Sequence, residues 1–478
     1  MGYVSRRGGN IGNRSWLAAL ALCALLRAGQ AQTPDLPIQP RAGQPLAGLT
    51  PQEQARFDAG KAAFETTLTV PDGLGPIFNE THCSACHLNP IGGSGTITVT
   101  RFGHADRNGF DPLTQLGGSL LQSQSISPEC AETIPDEANV TALRLTNSTL
   151  GFGLVEAIAD ADIQYNADYP PPGVSGRVHM VPMLENPGGG ARVGRFGWKC
   201  QLATVLSFSG DASLNEMGLT NALVPTENAP NGNQELLAQC DTVPDPEDHS
   251  DAQGVTFIQR VTDFQRFLAP PPQTPKSGMT GETVFNSIGC ASCHVSAFTT
   301  VDDPALEDVL RNQVLQPYSD FLLHDMGLLG DGIVQGQAQE REMRTAPLWG
   351  LRLRDPLLHD GSVIGGTFAE RVTAAIAAHD TFLSEGASAG ANFAALSDAQ
   401  KDMLIAFLNS LGRAEFDHDG DNHIDLPHDY AATAACFTGP GSLYVPDDPC
   451  AISDIDADGD VDLRDISGFM RAFDPPPL

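Results

Sequence analysis

The sequence predicts a mainly α protein, with two tandem helical domains, long irregular loops and a small acidic module at the C-terminus. Three observations carry that expectation. Helix-start signatures occur at Thr50-Pro51-Gln52-Glu53 and again at Ser397 to Gln400, and Leu404, Phe407, Leu408 and Leu411 follow the second at helical spacing. One cysteine motif occurs twice, once in each half of the chain, in matching surroundings. The 49 Gly and 35 Pro demand long connections that are neither helix nor strand. The resulting boundaries are 1–31, an export segment; 32–268 and 276–412, the two domains, with Ala269-Pro270-Pro271-Pro272 between them; and 413–478, the module.

Composition narrows the function. Over 478 residues there are 59 Asp and Glu against 27 Lys and Arg, a net charge of -32. With 41% hydrophobic and 18% charged residues the chain can bury proper cores, so it is neither a disordered polyelectrolyte nor a membrane bundle. So acidic a surface excludes a nucleic-acid binder, because phosphate recognition needs the opposite charge.

From the N-terminus, Arg6, Arg7 and Arg14 precede the apolar run Trp16 to Leu26 and the small-residue exit Gly29-Gln30-Ala31. This pattern is that of a signal peptide, its apolar run too short to span a bilayer. No later run approaches the roughly 18 apolar residues a span requires. The expectation is an exported protein, periplasmic or secreted to the cell surface, and not an integral membrane protein. A helix starting at Pro51 then runs to about Phe64.

The repeated motif reads Cys83-Ser84-Ala85-Cys86-His87 and Cys290-Ala291-Ser292-Cys293-His294. The spacing C-x-x-C-H suits covalent c-type haem: the two thiols add to the vinyl groups and the adjacent His ligates iron. Zinc would need further Cys or His clustered nearby, and a redox dithiol has no reason to place His after its second Cys twice. Gly75-Pro76-Ile77-Phe78-Asn79 before the first motif parallels Gly281 to Asn286 before the second, and Leu143-Arg144-Leu145-Thr146 parallels Met343-Arg344-Thr345. Two covalently bound haems in duplicated cytochrome-c-like domains follow. The stretch from about 165 to 255, rich in Gly, Pro and Asn, reads mostly as loop.

In order, GLGPIFNETHCSACH (73–87), LGFGLVEAIADADI (150–163), GRFGWKC (194–200), NEMGLTN (215–221), VFNSIGCASCH (284–294), HDMG (324–327), REMRTAPLWGLRLRDPLLHDGS (341–362) and LIAFLNSL (404–411) resemble the bacterial di-haem oxidoreductase family. Its members are described as thiol oxidoreductases, relatives of di-haem cytochrome c peroxidases and of MauG-type enzymes. The resemblance implies reduction of hydrogen peroxide, or peroxide-driven oxidation of a substrate, at the N-terminal haem, with the C-terminal haem relaying electrons from a small redox partner. It makes His87 and His294 the proximal ligands, Glu216 the distal acid and Trp198 a stepping stone between the haems. Peroxidase relatives carry a Gln eight to ten residues before that acid; the window here is Leu206-Ser207-Phe208, so a distal amide is missing or comes from elsewhere. His379 stands where the peroxidases place a Met, which makes the second haem bis-histidine and lowers its potential. Met326 and Met343 are the alternative ligands there, and His104, His179 and His324 are further distal candidates. Met217 as a ligand of the first haem gives the alternative reading, a pure electron-transfer di-haem cytochrome with both haems six-coordinate. The resemblance also suggests a calcium ion at Asn147, Thr345 and Pro347.

Residues 413–478 hold 15 Asp and Glu against three Arg. Asp454, Asp456, Asp458, Asp460, Asp462 and Asp465, with Gly459 at the turn, follow the order of a calcium loop, and Asp at its last position resembles dockerin-type loops. A helix from Leu463 to Phe473 follows, with Ile466, Phe469, Met470 and Phe473 on one face, and the module offers a surface for a protein partner. A weaker second loop runs from Asp417 through Asp419, Asp421 and Asp425 to His428. Cys436 and Cys450 are close enough in sequence to form a disulfide, and one of Cys130, Cys200 and Cys240 is left as a free thiol.

Overall fold

Thr50 opens the first described helix with a reciprocal cap: its hydroxyl accepts from the Glu53 amide, while Glu53 Oε2 accepts from the Thr50 amide at 2.8 Å. The computed structural model describes residues 38–273, 280–445 and 447–474; the expected export segment lies outside them. The helices that build the two halves are α1 (Pro51–Glu65), α2 (Cys83–Cys86), α3 (Val205–Met217), α4 (Phe257–Phe267), α5 (Gly281–Ser287), α6 (Phe368–His379), α7 (Ala387–Ala394) and α8 (Asp398–Ser410); α9 (Leu463–Ala472) belongs to the C-terminal module. No helix among the described residues is long and apolar enough to cross a membrane.

The expectation of a mainly α chain needs correction, because short strands separate the helices. The long strand β1 (Thr98–Asp106) pairs antiparallel with β2 (Gly109–Asp111), β3 (Leu120–Leu121) and β4 (Val140–Leu145), with Thr98 opposite Leu145 and Arg101 opposite Ala142. Two hairpin-like pairs follow, β5 (Met180–Pro182) with β6 (Ala191–Val193) and β7 (Leu323–Asp325) with β8 (Glu342–Arg344). Most of these strands are only two or three residues long, too short for an alternating pattern to show, and the longest pairing joins Thr98 to Leu145, far apart in sequence, where local patterning carries no signal.

The 165–255 stretch is corrected too, since it contains α3. Thr204 caps that helix through the Ser207 amide, and Gly218 ends it in the left-handed conformation. Its buried residues are Val205, Ser207, Ser209, Gly210, Ser213, Leu214 and Met217, so small and polar side chains fill the middle of the face between apolar ends. Ser209 Oγ bonds Thr262 Oγ1 at 2.9 Å and Gln265 Nε2 at 3.0 Å on α4, so the contact between the helices is polar and close. A helix buried through small polar residues shows no apolar periodicity.

Three apolar clusters place the motifs. Phe57, Phe64, Phe264 and Phe267 join α1 to α4 beside Cys83. Gly60 allows that approach, since a Cβ there would lie 2.8 Å from the Phe264 amide nitrogen. Phe285, Tyr318, Leu404 and Phe407 join α5 to α8 near the second motif. A third cluster draws on both halves, with Phe152 and Phe196 packing on Leu322 and Trp349.

The halves are also joined by buried charge. Asp331 Oδ2 pairs with Arg144 Nη2 at 2.7 Å, and Asp331 Oδ1 with Lys199 Nζ at 2.8 Å, with all three side chains buried. Burial alone would raise the Asp331 carboxyl, but the two cations outweigh it and hold the carboxyl below the usual range. Asp331→Ala would leave two buried cations without their anion. It is expected to cost about 3–5 kcal/mol, read from the denaturant midpoint of the holoprotein; a loss under about 1 kcal/mol, the range of an exposed pair, would show that the pair is not structural.

Candidate functional site

The second motif lies at a cavity of about 470 Å³, within the usual range of about 300–1,000 Å³ for cofactor and ligand sites. Gly289 turns the chain in the left-handed conformation after α5, and Cys290 to Ser292 form a single tight turn closed by the His294 amide on the Cys290 carbonyl at 3.0 Å. Cys290, Cys293 and His294 all line the cavity, and so do His379, Met326 and Met343. His379 arrives as the last residue of α6, a helix started by the Thr367–Glu370 capping box. Its ring packs against Gly386, where a Cβ would approach to 2.9 Å.

The three histidines expected on iron share one arrangement. His87 Nδ1 faces the Gly93 carbonyl at 3.2 Å, His294 Nδ1 the Tyr318 carbonyl at 2.8 Å, and His379 Nδ1 the Ala375 carbonyl at 2.8 Å. A carbonyl only accepts, so each Nδ1 carries the proton and each Nε2 keeps its lone pair, the state a metal ligand needs. Burial lowers His87 and His294 to about 4 and lowers His379 as well, so all three are neutral at pH 7. Burial pushes the Cys83, Cys86 and Cys290 thiols up to about 12, opposite to the activation of a redox thiol. This donor set suits two haems.

The other candidate histidines are held by protein groups, although His324 also lines the cavity, 3.7 Å from Cys293 Sγ. His324 is held between Asp320 Oδ2 and Glu385 Oε2, each at 2.8 Å; burial alone would lower it, but Asp320, Cys293 and Glu385 raise it to about 12. His179 Nδ1 meets the Lys199 carbonyl, and its Nε2 accepts the Gln337 amide at 3.2 Å. His104 Nδ1 bonds the Glu137 carbonyl at 2.7 Å in an exposed setting.

At the first motif, α2 carries Cys83 and Cys86. Cys83 packs on the cluster of Leu68, Leu74, Phe78, Met217 and Leu219, and Phe64 lies 5.8 Å from the His87 ring. Glu216, in the last turn of α3, is tied to the segment leading into this motif. Its backbone carbonyl accepts the amides of Asn79 at 2.8 Å and Glu80 at 3.1 Å, and its Oε2 accepts Asn79 Nδ2 at 2.9 Å. Asn79 thus sets a side-chain amide beside Glu216, where the window at 206–208 offers none. Glu216 also adds to the field that raises the Cys86 thiol. Burial raises the Glu216 carboxyl itself above the usual range, against the opposing pull of Asn79 and Arg101.

Arg101 is the residue that sequence reading missed. It sits on β1, and burial, with the neighbouring Arg144, lowers it to about 10 against the attraction of Glu216, Asp211 and Asp331. Its Nε is buried with no hydrogen-bond partner. The only sequence signal was a basic residue inside a Thr-Val-Thr strand pattern, and that pattern points to no site.

Trp198 lies where the two sites approach. It lines the cavity of the second motif, and its Nε1 donates to the Leu145 carbonyl at 2.8 Å. The residues after Leu145 adjoin the first motif: the Thr146 side chain bears on the Cys86 thiol and the Asn147 backbone on His87. Arg344 donates to Asn147 Oδ1 and to the Thr345 carbonyl, each at 3.3 Å. A guanidinium therefore already supplies positive charge to two of the oxygens expected around calcium.

In the acidic module, carboxylate oxygens of Asp454, Asp456 and Asp465 lie within 4.8 Å of one another, and so do those of Asp460, Asp462 and Asp465. Asp458 joins neither group; its Oδ1 accepts the Asp460 amide at 3.2 Å. Asp456 Oδ1 and Asp460 Oδ1 are buried with no hydrogen-bond partner. Asp465 turns inward toward these oxygens, and this sets the buried face of α9 as Asp465, Gly468, Phe469 and Ala472. Met470 and Phe473, expected on that face, are exposed. In the second loop Asp429 replaces the expected His428 beside Asp417 and Asp419. A π-turn over Leu426–Tyr430 adds one residue, with the Tyr430 amide on the Asp425 carbonyl, and so carries position 13 into the place of position 12. Disulfides join Cys436 to Cys450 and Cys130 to Cys240. Cys200 is the free thiol, buried, its Sγ 3.3 Å from the Phe321 carbonyl and its pKa raised to about 12 by burial, so it is not a reactive cysteine.

Comparison with known proteins bears on these residues. The model of a family described as "Di-haem oxidoreductase, putative peroxidase" matches residues 122–411, a span that takes in Trp198, Glu216, the second motif and His379 and stops before the acidic module. No curated protein matches. Among solved structures the chain is similar to a MauG-like protein associated with microbial copper homeostasis, at 16% identity and TM-score 0.35 over 80% of this chain and 95% of that one. It is also similar to hydrazine synthase of Kuenenia stuttgartiensis, in a structure pressurized with 20 bar xenon, at 12% identity and TM-score 0.34 over 80% of this chain and 98% of that one. With more than half of its length matched by the family model, the chain belongs to the di-haem oxidoreductase family.

Proposed function

We propose that this protein is an exported di-haem c-type oxidoreductase that reduces hydrogen peroxide, or uses it to oxidise a substrate, at the first motif and relays electrons through the second. Thioether links at Cys83 and Cys86 and at Cys290 and Cys293 would hold the haems, with His87, His294 and His379 on iron. Bound there, the haems supply the redox chemistry. The observation that carries the reading is Glu216, a half-buried carboxyl beside the first motif with its side chain oriented by Asn79. Cleaving O–O heterolytically requires a proton to pass from the near oxygen to the far one, and a carboxyl fixed at one oxygen by Asn79 has the other available to carry it. Arg101 favours the ionised form of Glu216 and so readies it to accept that proton. Trp198 and the Leu145–Asn147 segment span the two motifs and suit electron relay. The two disulfides support an oxidising compartment outside the cytoplasm. Residues 413–478 act in this reading as a dockerin-like calcium module that docks a protein partner, a role supported by the converging Asp454–Asp465 oxygens and by the exposed Leu463, Met470 and Phe473.

Three measurements test the reading. Glu216→Gln should keep both haems and lose about 10²–10⁴-fold in peroxide turnover. Because the raised Glu216 must be ionised to accept a proton, wild-type turnover should fall as pH drops through a point above the ordinary Glu range, and that acid limb should vanish in the variant. Unchanged turnover in the variant would remove Glu216 from the mechanism, and two low-spin haems inert to peroxide in the wild type would leave the electron-transfer reading. His379→Met should keep the second haem low-spin and raise its reduction potential, since His/Met ligation favours reduced iron; an unchanged spectrum and potential would remove His379 from iron. Calcium at about 100 times its Kd should stabilise the full chain by about 2.7 kcal/mol per site, and the Asp454→Asn, Asp465→Asn double variant should lose the share due to the loop.

A further inference from the structure

Between α3 and α4 lies an acidic cluster that neither the haem chemistry nor the C-terminal module uses. Carboxylate oxygens of Glu227, Asp245 and Glu247 lie within 4.8 Å of one another. Glu227 is only 6% exposed, and its Oε2 is fully buried with no hydrogen-bond partner, while its Oε1 accepts the Asn228 amide. Glu247 is buried as well, and Asp245 faces solvent. No Lys, Arg or His pairs with any of the three among the described residues. Burial and the neighbouring acids Glu247, Asp245 and Asp241 push the Glu227 carboxyl up to about 9, so the cluster costs free energy at neutral pH unless a cation or a proton compensates it.

We propose that Glu227, Asp245 and Glu247 bind one calcium ion. The ligands are all oxygens, which selects a hard cation, and oxygens within 4.8 Å of one another need to close in by only a few tenths of an ångström at most to reach the roughly 2.3–2.6 Å bond length of calcium. Magnesium demands a stricter octahedron and keeps more of its water, which suits a site with two buried ligands less well. The exposed Asp245 gives the ion its way in.

The site has a mechanical consequence for the first haem. Thr220 Oγ1 lies 2.5 Å from Glu247 Oε2 and 2.6 Å from Asp245 Oδ1, with its one proton for either, and the Thr220 amide donates to Glu247 Oε2 at 2.8 Å. Thr220 follows Glu216 by four residues, across the Gly218 turn that ends α3. Gly218 in turn packs on Gly75, where a Cβ would lie 2.6 Å from the Gly218 Cα, in the segment leading to the first motif. An ion drawing Glu227, Asp245 and Glu247 together therefore clamps the loop that fixes the Glu216 turn against that segment. The ion acts through position and touches no reacting atom.

The test counts calcium bound per chain by the EGTA-stripped, full-length holoprotein. The Glu227→Gln, Glu247→Gln double variant is expected to bind one calcium fewer than wild type, while Asp454→Asn, Asp465→Asn retains this ion. An unchanged count in the Glu227, Glu247 variant overturns the proposal; an unchanged count in the Asp454, Asp465 variant overturns the C-terminal reading instead. Amide exchange of the wild type, which needs no variant to fold, gives the second reading. At calcium about 100 times its Kd, exchange over 219–248 should slow by about 100-fold relative to EGTA. Exchange there that ignores calcium, with a stability that instead rises on acidification, would show that protons rather than a metal neutralise the cluster, and would overturn the site.

Discussion

The buried Asp331 carboxylate, clasped by Arg144 and Lys199, is the constraint on which the arrangement of the two halves depends. Each cation sits one residue from a functional element. Arg144 precedes Leu145, whose carbonyl receives the Trp198 indole, and Lys199 follows Trp198. A charge taken out of water must find its counter-charge in one geometry, so the triad sets the register between β4 and the Trp198 segment more strictly than apolar packing would. Arg344 extends the same seam, its amide on the Trp198 carbonyl and its guanidinium on Gly197 and Asn147.

Around that seam the two motifs repeat locally but differ in surroundings. Both fold their Cys and His into one tight turn and direct the histidine Nδ1 at a backbone carbonyl. The second is flanked by His379 and an open apolar cavity, which suits a saturated iron that passes electrons. The first has a carboxyl, an amide and a guanidinium within one field, Glu216, Asn79 and Arg101, which suits proton movement. One repeated turn thus stands in two different surroundings, set by what the intervening loops bring to each.

Much of the chemistry was legible in the chain because it is local. The C-x-x-C-H turns, the capping boxes of α1 and α8 and the loop from Asp454 to Asp465 each depend on residues a few positions apart. Helix α3 was not legible, because Ser207, Ser209, Gly210 and Ser213 interrupt the apolar positions of its buried face and meet Thr262 and Gln265 on α4. The pairing of Cys130 with Cys240 and the entry of Asp429 in place of His428 were hidden for related reasons: one depends on chain closure across a long loop, the other on a single extra residue in a turn.

The sequence by itself determined which atoms can hold haem and cations, since ligand type and short spacing are covalent properties of the chain. Only the tertiary structure decided which of them meet. It directed His294 and His379 to one cavity, paired Asn79 with Glu216, locked His324 between two carboxylates and set the Arg344 guanidinium against Asn147. Those outcomes turn on burial, because a buried polar atom must find a partner wherever the fold brings one, and that partner is seldom near in sequence.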